Sequence, residues 1–311
     1  MELFQTKKLI MIIPTKQENT FENIELEKIK QKLFFLERVR WGIHIITFAA
    51  IILIGISWVD LIILLISYYL GMLVVSISSH RYFSHKSFKT SRIFQFILGW
   101  LTCTTVQRGP IWWASIHRHH HKYSDTSKDF HSPTKGFWHS HMGWLTDPKI
   151  LDMDYRNVKD LTRYPELLWL DRWFDIPIIL MILFLGLFGF YLQVNYPNLG
   201  VSPGEMIVYG FLGKTVLLWH ATFTINSLMH LIGKQRFATG DNSKNSVFLS
   251  LLTVGDGWHN NHHRYPSSAR NGFYWWEIDV SYYVIKLFGL LGLIWDIKPV
   301  PKSVLEEGLK G

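Results

Sequence analysis

One cysteine, Cys103, occurs in 311 residues. This excludes an internal disulfide, a four-cysteine zinc knot and an iron–sulfur cluster held by cysteines of a single chain. A GxGxxG loop is also missing, so the sequence offers no cradle for the pyrophosphate of a nicotinamide or flavin cofactor. Nor does a secretory signal stand out. Residues 9–13 are apolar but too few for its central region, and polar residues follow. Residues 1–40 therefore read as a soluble leader, with a Glu- and Lys-rich part, 23–40, expected to lie as a helix on a membrane surface. Any metal in this chain must rest mainly on nitrogen and oxygen ligands.

What the chain has in excess is apolar sequence and histidine. Hydrophobic residues make up 48%, and they fall in blocks. Residues 41–79 are almost uninterrupted, about twice the length needed to cross a bilayer. Their clearest polar break is Ser57-Trp58-Val59-Asp60, which predicts two spans, 41–58 and 61–79, joined by a tight turn. A second pair is expected at 174–192 and 206–227, separated by a connector rich in Pro, Gly and Asn. Residues 93–106 are too short to cross and read as an interfacial or re-entrant helix.

The distribution of positive charge orients these spans. Lys and Arg number 8 in residues 1–40, 14 in 80–173 and 9 in 228–311; Lys214 lies inside a span, and the connectors within each pair hold none. This asymmetry places the leader, the middle segment and residues 296–311, the tail, together on the cytoplasmic side. The net charge of +8 is then largely a topology signal, and no basic run interleaved with aromatics points to nucleic acid. The expected fold is an all-α integral membrane protein, with four transmembrane helices in two hairpins and a cytoplasmic helical cap. A soluble helical core would need both the block lengths and the charge segregation to be coincidence.

Of 15 histidines, only His44 and His220 fall within the expected spans. The rest lie on the cytoplasmic segments, mostly in three clusters: His80 to His85, His117 to His121, and His259 to His263. His230 follows the fourth span. Residues at i, i+3 and i+4 share a helical face, so His117, His120 and His121 can converge, as can His259, His262 and His263. His80 and His85, five apart, diverge on an ideal α-helix; the pair either spans a helix end or touches two different metals. Nine imidazoles exceed what one ion accepts, and two metals sharing a site is the simplest reading. His44 and His220 read as packing residues, His131, His139 and His141 as interfacial ones, and His119 as displaced from the face of its neighbours.

His80-x4-His85, His117-x2-His120-His121 and His259-x2-His262-His263 together resemble the three histidine boxes of membrane fatty acid desaturases. Their spacing is similar to that of the delta-9, stearoyl-CoA desaturase-like group with its bacterial and cyanobacterial members. Gly136-Phe137-Trp138, His141-Met142-Gly143-Trp144, Thr224-Ile225-Asn226-Ser227 and Gly255-Asp256-Gly257-Trp258 support the likeness, which spans residues 41–295. The resemblance implies an enzyme that introduces a cis double bond, at delta-9, into a saturated acyl chain carried on CoA or lipid. It implies two iron ions ligated by His80, His85, His117, His120, His121, His230, His259, His262 and His263, with Asn226 holding a metal-bound water. O2 is the implied co-substrate, and a separate cytochrome b5- or ferredoxin-type protein the electron donor, since no His-Pro-Gly-Gly segment marks a fused cytochrome b5 domain. The implied location is the bacterial inner membrane, or the endoplasmic reticulum in a eukaryote. Ser115 and Ile116 stand where animal acyl-CoA enzymes carry an Arg-Asp pair, which leaves the carrier open. A membrane hydroxylase or ketolase with the same metals is the neighbouring alternative; a metal-ion transporter is the alternative from another class.

Overall fold

The computed structural model describes residues 16–151 and 155–310; the start of the leader, residues 1–15, lies outside the described residues. Helix α1 (Lys16–Ile54) is continuous across residue 40, where the leader was expected to end. Glu, Lys, Gln and Leu, all good helix formers, fill the stretch before Trp41, so nothing there stops the helix. It stops at Gly55, whose φ of 81° suits a left-handed turn. Helix α2 then starts at Trp58 under a capping box. The Ser57 hydroxyl accepts from the Asp60 amide (3.2 Å), and the Asp60 carboxylate accepts from the Ser57 amide (2.8 Å). The polar break legible in the sequence is this cap.

Among the described residues, three helices are long and apolar enough to cross a membrane: α2 (Trp58–Ser84), α6 (Asp175–Asn195) and α7 (Pro203–His230). The apolar part of α1, from Trp41 onward, is shorter, although Ile45, Phe48, Ile52 and Leu53 on it are exposed. Between α2 and α6 lie α3 (Arg92–Cys103), α4 (Pro110–Tyr123) and α5 (Phe137–His141), with short helical turns. Beyond α7, short helices α8 (His259–Arg264) and α9 (Val280–Leu290) complete the cap. The tail is not loose: residues 302–308 form a helix whose Val304 is buried with Phe237 and Tyr274. A two-residue antiparallel ladder, Lys89–Thr90 with Ile294–Trp295, ties the ends of the cap together.

One departure from α-helical geometry decides where the site lies. From Val75 to Ser84, α2 continues as a π-helix. A buried row of serines accompanies the change: Ser78 bonds the Leu98 carbonyl and Thr102 (both 2.8 Å), while Ser76 bonds Asp256 (2.8 Å). Small polar residues of this kind allow close helix approach and satisfy polar groups between helices.

The cap is fastened to α2 by Arg81, which is fully buried. Its guanidinium donates to Asp279 (2.9 Å), to Asp256 (3.2 Å) and to the Ala269 carbonyl (2.8 Å). Asp279 also accepts from the backbone amides of Asn271, Gly272 and Tyr282. Gly255 has no room for a side chain: a Cβ there would meet the Asp279 carboxylate at 2.2 Å. A buried charge deprived of its partner is costly, so Asp279→Ala is expected to destabilise the folded protein by about 3–5 kcal/mol. Asp279→Asn, which keeps an acceptor for the amides, should cost less. Denaturation midpoints in detergent check this; an unchanged midpoint for the alanine variant contradicts the assignment.

Candidate metal centre

The π-helix resolves the spacing of the first cluster. Its hydrogen bonds run from i to i+5, and His85 N donates to His80 O at 3.2 Å. The two rings are consequently neighbours, with centroids 4.9 Å apart, in one and the same set. His85 caps the helix just past Ser84, so the pair spans a helix end, one of the two expected arrangements, and both rings belong to one set rather than to two metals. On α4, His117 and His121 lie one turn apart and point into the set containing His80 and His85, and His262 from α8 completes it. His120, His230, His259 and His263 form the second set. In each set one nitrogen from every ring lies within 4.8 Å of the others. The second and third clusters therefore straddle the two sets instead of each converging on one point. All nine sequence-predicted histidines are brought together.

Within the five-histidine set, Nε2 atoms face one another: His85 to His117 at 2.8 Å, His117 to His121 at 3.1 Å, His121 to His262 at 2.9 Å and His262 to His80 at 3.0 Å. His230 and His259 meet likewise at 3.0 Å. Neutral imidazole has one donor, and a ring of such contacts cannot satisfy every lone pair with protons alone. Cations between the rings can. The His263 Nε2 is buried with no partner, while its Nδ1 is bonded to Asp241 at 2.6 Å. Carboxylates stand behind two further rings: Asp129 at His120 Nδ1 (2.9 Å) and Asp125 at His230 Nδ1 (3.1 Å). A carboxylate behind a ring fixes its tautomer and turns the other nitrogen inward, as at metal sites. The donor chemistry, nine imidazoles and no thiolate, fits a pair of iron ions.

The electrostatics agree with neutral rings. Burial first, then repulsion from neighbouring histidines, pushes His85, His117, His121, His259 and His262 well below the ordinary imidazole range. Burial takes His263 down to about 4, against the pull of Asp241. Burial alone would raise Asp129, but His131 and His120 hold it below the usual carboxylate range.

Asn226 ends the α-helical part of α7 and lines a small cavity with His80, His117, His120 and His259. A larger, mainly apolar cavity of about 210 Å³ opens beside it and shares His117 and Asn226 as wall. Trp112, Trp113, Trp144 and Trp219 contribute its apolar lining. Gln107 crosses it, donating to Thr222 (3.0 Å) and accepting from Trp113 (3.1 Å).

Several histidines outside the nine differ from expectation. His131 is not interfacial: it is buried, lines the larger cavity, and its ring centroid lies 4.4 Å from that of His120. Asp129 draws it inward, accepting from the His131 amide (3.2 Å). His141 is buried too, in a chain from the Arg40 carbonyl through His44 (2.8 Å), His220 (3.1 Å) and His141 (3.0 Å) to Ser227 (3.0 Å). This chain pins α1 to α7 and α5. His139 bonds the Phe130 carbonyl and His119 the Lys128 carbonyl, both away from the two sets. Sequence reasoning missed Asp125, Asp129 and Asp241; the first two follow closely on the second histidine cluster, and nothing in the sequence marks Asp241.

The model of the fatty acid desaturase family matches residues 35–283. An acyl-CoA 5-desaturase of Anemone leveillei is 40% identical over 237 residues, which are 75% of this chain and 70% of that protein. Delta-9 acyl-lipid desaturase 2 of Arabidopsis thaliana is 37% identical over 245 residues, covering 78% and 76%. The sn-1 stearoyl-lipid 9-desaturase of Anabaena variabilis is 35% identical over 280 residues, covering 87% and 94%.

The depressed imidazoles give the metal-free protein a defined acid response. Their folded pKa lies below the unfolded value near 6.5, so below that pH the unfolded chain binds more protons. Stability is complete above about pH 6.5 and falls as pH drops toward 4, each such ring adding up to about 1.4 kcal/mol per pH unit. Thermal midpoints of chelator-treated protein between pH 8 and 5 should show this steep decline; a flat profile contradicts burial of neutral rings.

Proposed function

This chain belongs to the fatty acid desaturase family, and from that membership we propose that it places a cis double bond, at delta-9, in a saturated acyl chain. It is an oxidoreductase acting on an acyl-CoA or acyl-lipid. The observation that carries the reading is the shared wall: the apolar cavity ends on His117 and Asn226, the same residues that face the histidine sets.

The nine histidines would hold two irons, His80, His85, His117, His121 and His262 one of them, His120, His230, His259 and His263 the other. When bound, this pair supplies, with O2, an oxidant strong enough to take hydrogen from an unactivated methylene, which side-chain acids and bases cannot do. Asp125, Asp129 and Asp241 keep the rings behind which they stand protonated at Nδ1, so that Nε2 remains a ligand. Asn226, which lines the small cavity with His80, His117, His120 and His259, would orient a water there. The tryptophan-lined cavity excludes bulk water and holds one carbon pair of the acyl chain beside the centre, turning a difficult encounter into a positioned one. Gln107, fixed by Thr222 and Trp113, shapes the wall along which the chain passes. One O2, two electrons from a separate carrier protein and two protons combine with the two hydrogens removed, giving the alkene and two waters.

The charge segregation supports four spans in two hairpins, with α1 supplying the first, and a cap on the cytoplasmic side. Lys214 is compatible with burial in α7 because its ammonium donates to the Thr104 carbonyl at 3.0 Å.

Expression in a host that lacks unsaturated fatty acids, followed by mass spectrometry of its lipids, tests the proposal. A monounsaturated product is expected, and replacing any of the nine histidines by Ala should abolish it while the protein remains in the membrane. Full activity of His120→Ala, or a hydroxylated product instead of an alkene, contradicts the reading.

A further inference from the structure

Two guanidinium groups line the apolar cavity. Arg40, near the middle of α1, and Arg108, in the loop between α3 and α4, both line it. Among the described residues, neither guanidinium makes a hydrogen bond or an ion pair. Arg108 instead lies over the Trp112 ring, 4.8 Å from its centroid. The acidic groups nearby do not close on them. Asp171 is close enough to favour the Arg108 charge, but its Oδ1 is occupied by the amides of Ile111 (3.1 Å) and Trp112 (2.9 Å). Glu37 acts on Arg40 only at a distance. Burial, and the like charge of Arg40, both work against the charge on Arg108.

The backbone that presents Arg108 is unusual as well. Val106 and Arg108 have φ of 59° and 67°, a left-handed region that non-glycine residues rarely occupy. The surroundings enforce it: the Val106 carbonyl accepts from the Trp219 indole (3.0 Å), and Gln107 is held at both ends of its amide. Such conformations persist where neighbours over-determine them, and they concentrate at ligand sites. Here the result is a second positive group on the cavity wall that Arg40 also lines, close enough for the like charges to repel.

We propose that Arg40 and Arg108 form an oxyanion site for the phosphate of the acyl carrier, so that the substrate is a phosphate-bearing acyl compound. This rests on the cavity being the acyl site of the preceding proposal, and it names the carrier chemistry which that proposal leaves open. Planar guanidiniums match phosphate oxygens in paired hydrogen bonds, and a phosphate would relieve the repulsion between them. A neutral glycolipid headgroup offers no such charge. The phosphate can belong to CoA or to a phosphoglyceride headgroup, two sources with the same chemistry at this point.

Direct binding separates the cases. Full-length protein in detergent micelles is titrated calorimetrically with stearoyl-CoA, distearoyl phosphatidylglycerol, distearoyl monogalactosylglycerol and stearate. One of the two phosphate-bearing probes should bind more tightly than the galactolipid and stearate, and added salt should weaken it. Its advantage over the galactolipid should fall about tenfold or more in Arg40→Gln/Arg108→Gln, and less in Arg108→Lys. The probe that shows this pattern identifies the source. An undiminished advantage in the double glutamine variant overturns the proposal, as does a preference of the natural chain for galactolipid or stearate. Product formation is followed on the same preparations: a chain that binds the phosphate probes through these arginines but forms no alkene refutes the desaturase reading and leaves the anion site standing.

Discussion

Imidazole nitrogens turned toward one another at 2.8–3.1 Å, with no thiolate or carboxylate between them, are held there against their own chemistry. Each Nε2 has a single in-plane site, either a proton or a lone pair, yet those of His117, His121 and His262 each face two partners, so protons cannot satisfy every contact. Charging the rings would supply protons but is opposed by burial and by mutual repulsion. A cation within each set resolves both difficulties. The remainder of the cap is arranged to keep the nine rings in this otherwise unfavourable register.

That arrangement is visible at two distances. Immediately behind the rings, Asp125, Asp129 and Asp241 fix orientation from outside the clusters they serve. Further out, Arg81 joins the π-helical end of α2 to Asp256 and Asp279, and so locks the segment carrying His80 and His85 against the loop leading into α8. Asp256 also lies 3.4 Å from His80 Nδ1, which links the two distances through a single carboxylate. Side chains from α2, α4, α7 and α8 reach the site only because these buried polar contacts pull elements from distant parts of the sequence onto one another.

Much of this was legible in the residues themselves. The three histidine clusters, the polar break at Ser57 and Asp60, and the apolar blocks around residues 61–79 and 174–192 follow from composition and spacing. For His80 and His85 the sequence suggested a helix end, which is where the pair lies, but not the π-helical turn that brings the two rings together, because five-residue spacing diverges on an α-helix. His131 was misread for a related reason: its own neighbours are aromatic and look interfacial, and only the fold brings Asp129 and His120 against it. The boundary expected at residue 40 reflected a change in polarity, whereas helix formation depends on propensity, which does not change there. The arginines on the cavity wall lie in separate segments, and no spacing rule relates them.

Elemental analysis with iron-edge X-ray absorption on the purified protein tests the central claim most directly. Two irons per chain, with a first shell of imidazole nitrogen and no sulfur, is the result this arrangement of rings predicts. A chain purified from iron-replete cells that binds no transition metal, or one that keeps both ions when His121 and His263 are replaced together, would contradict it.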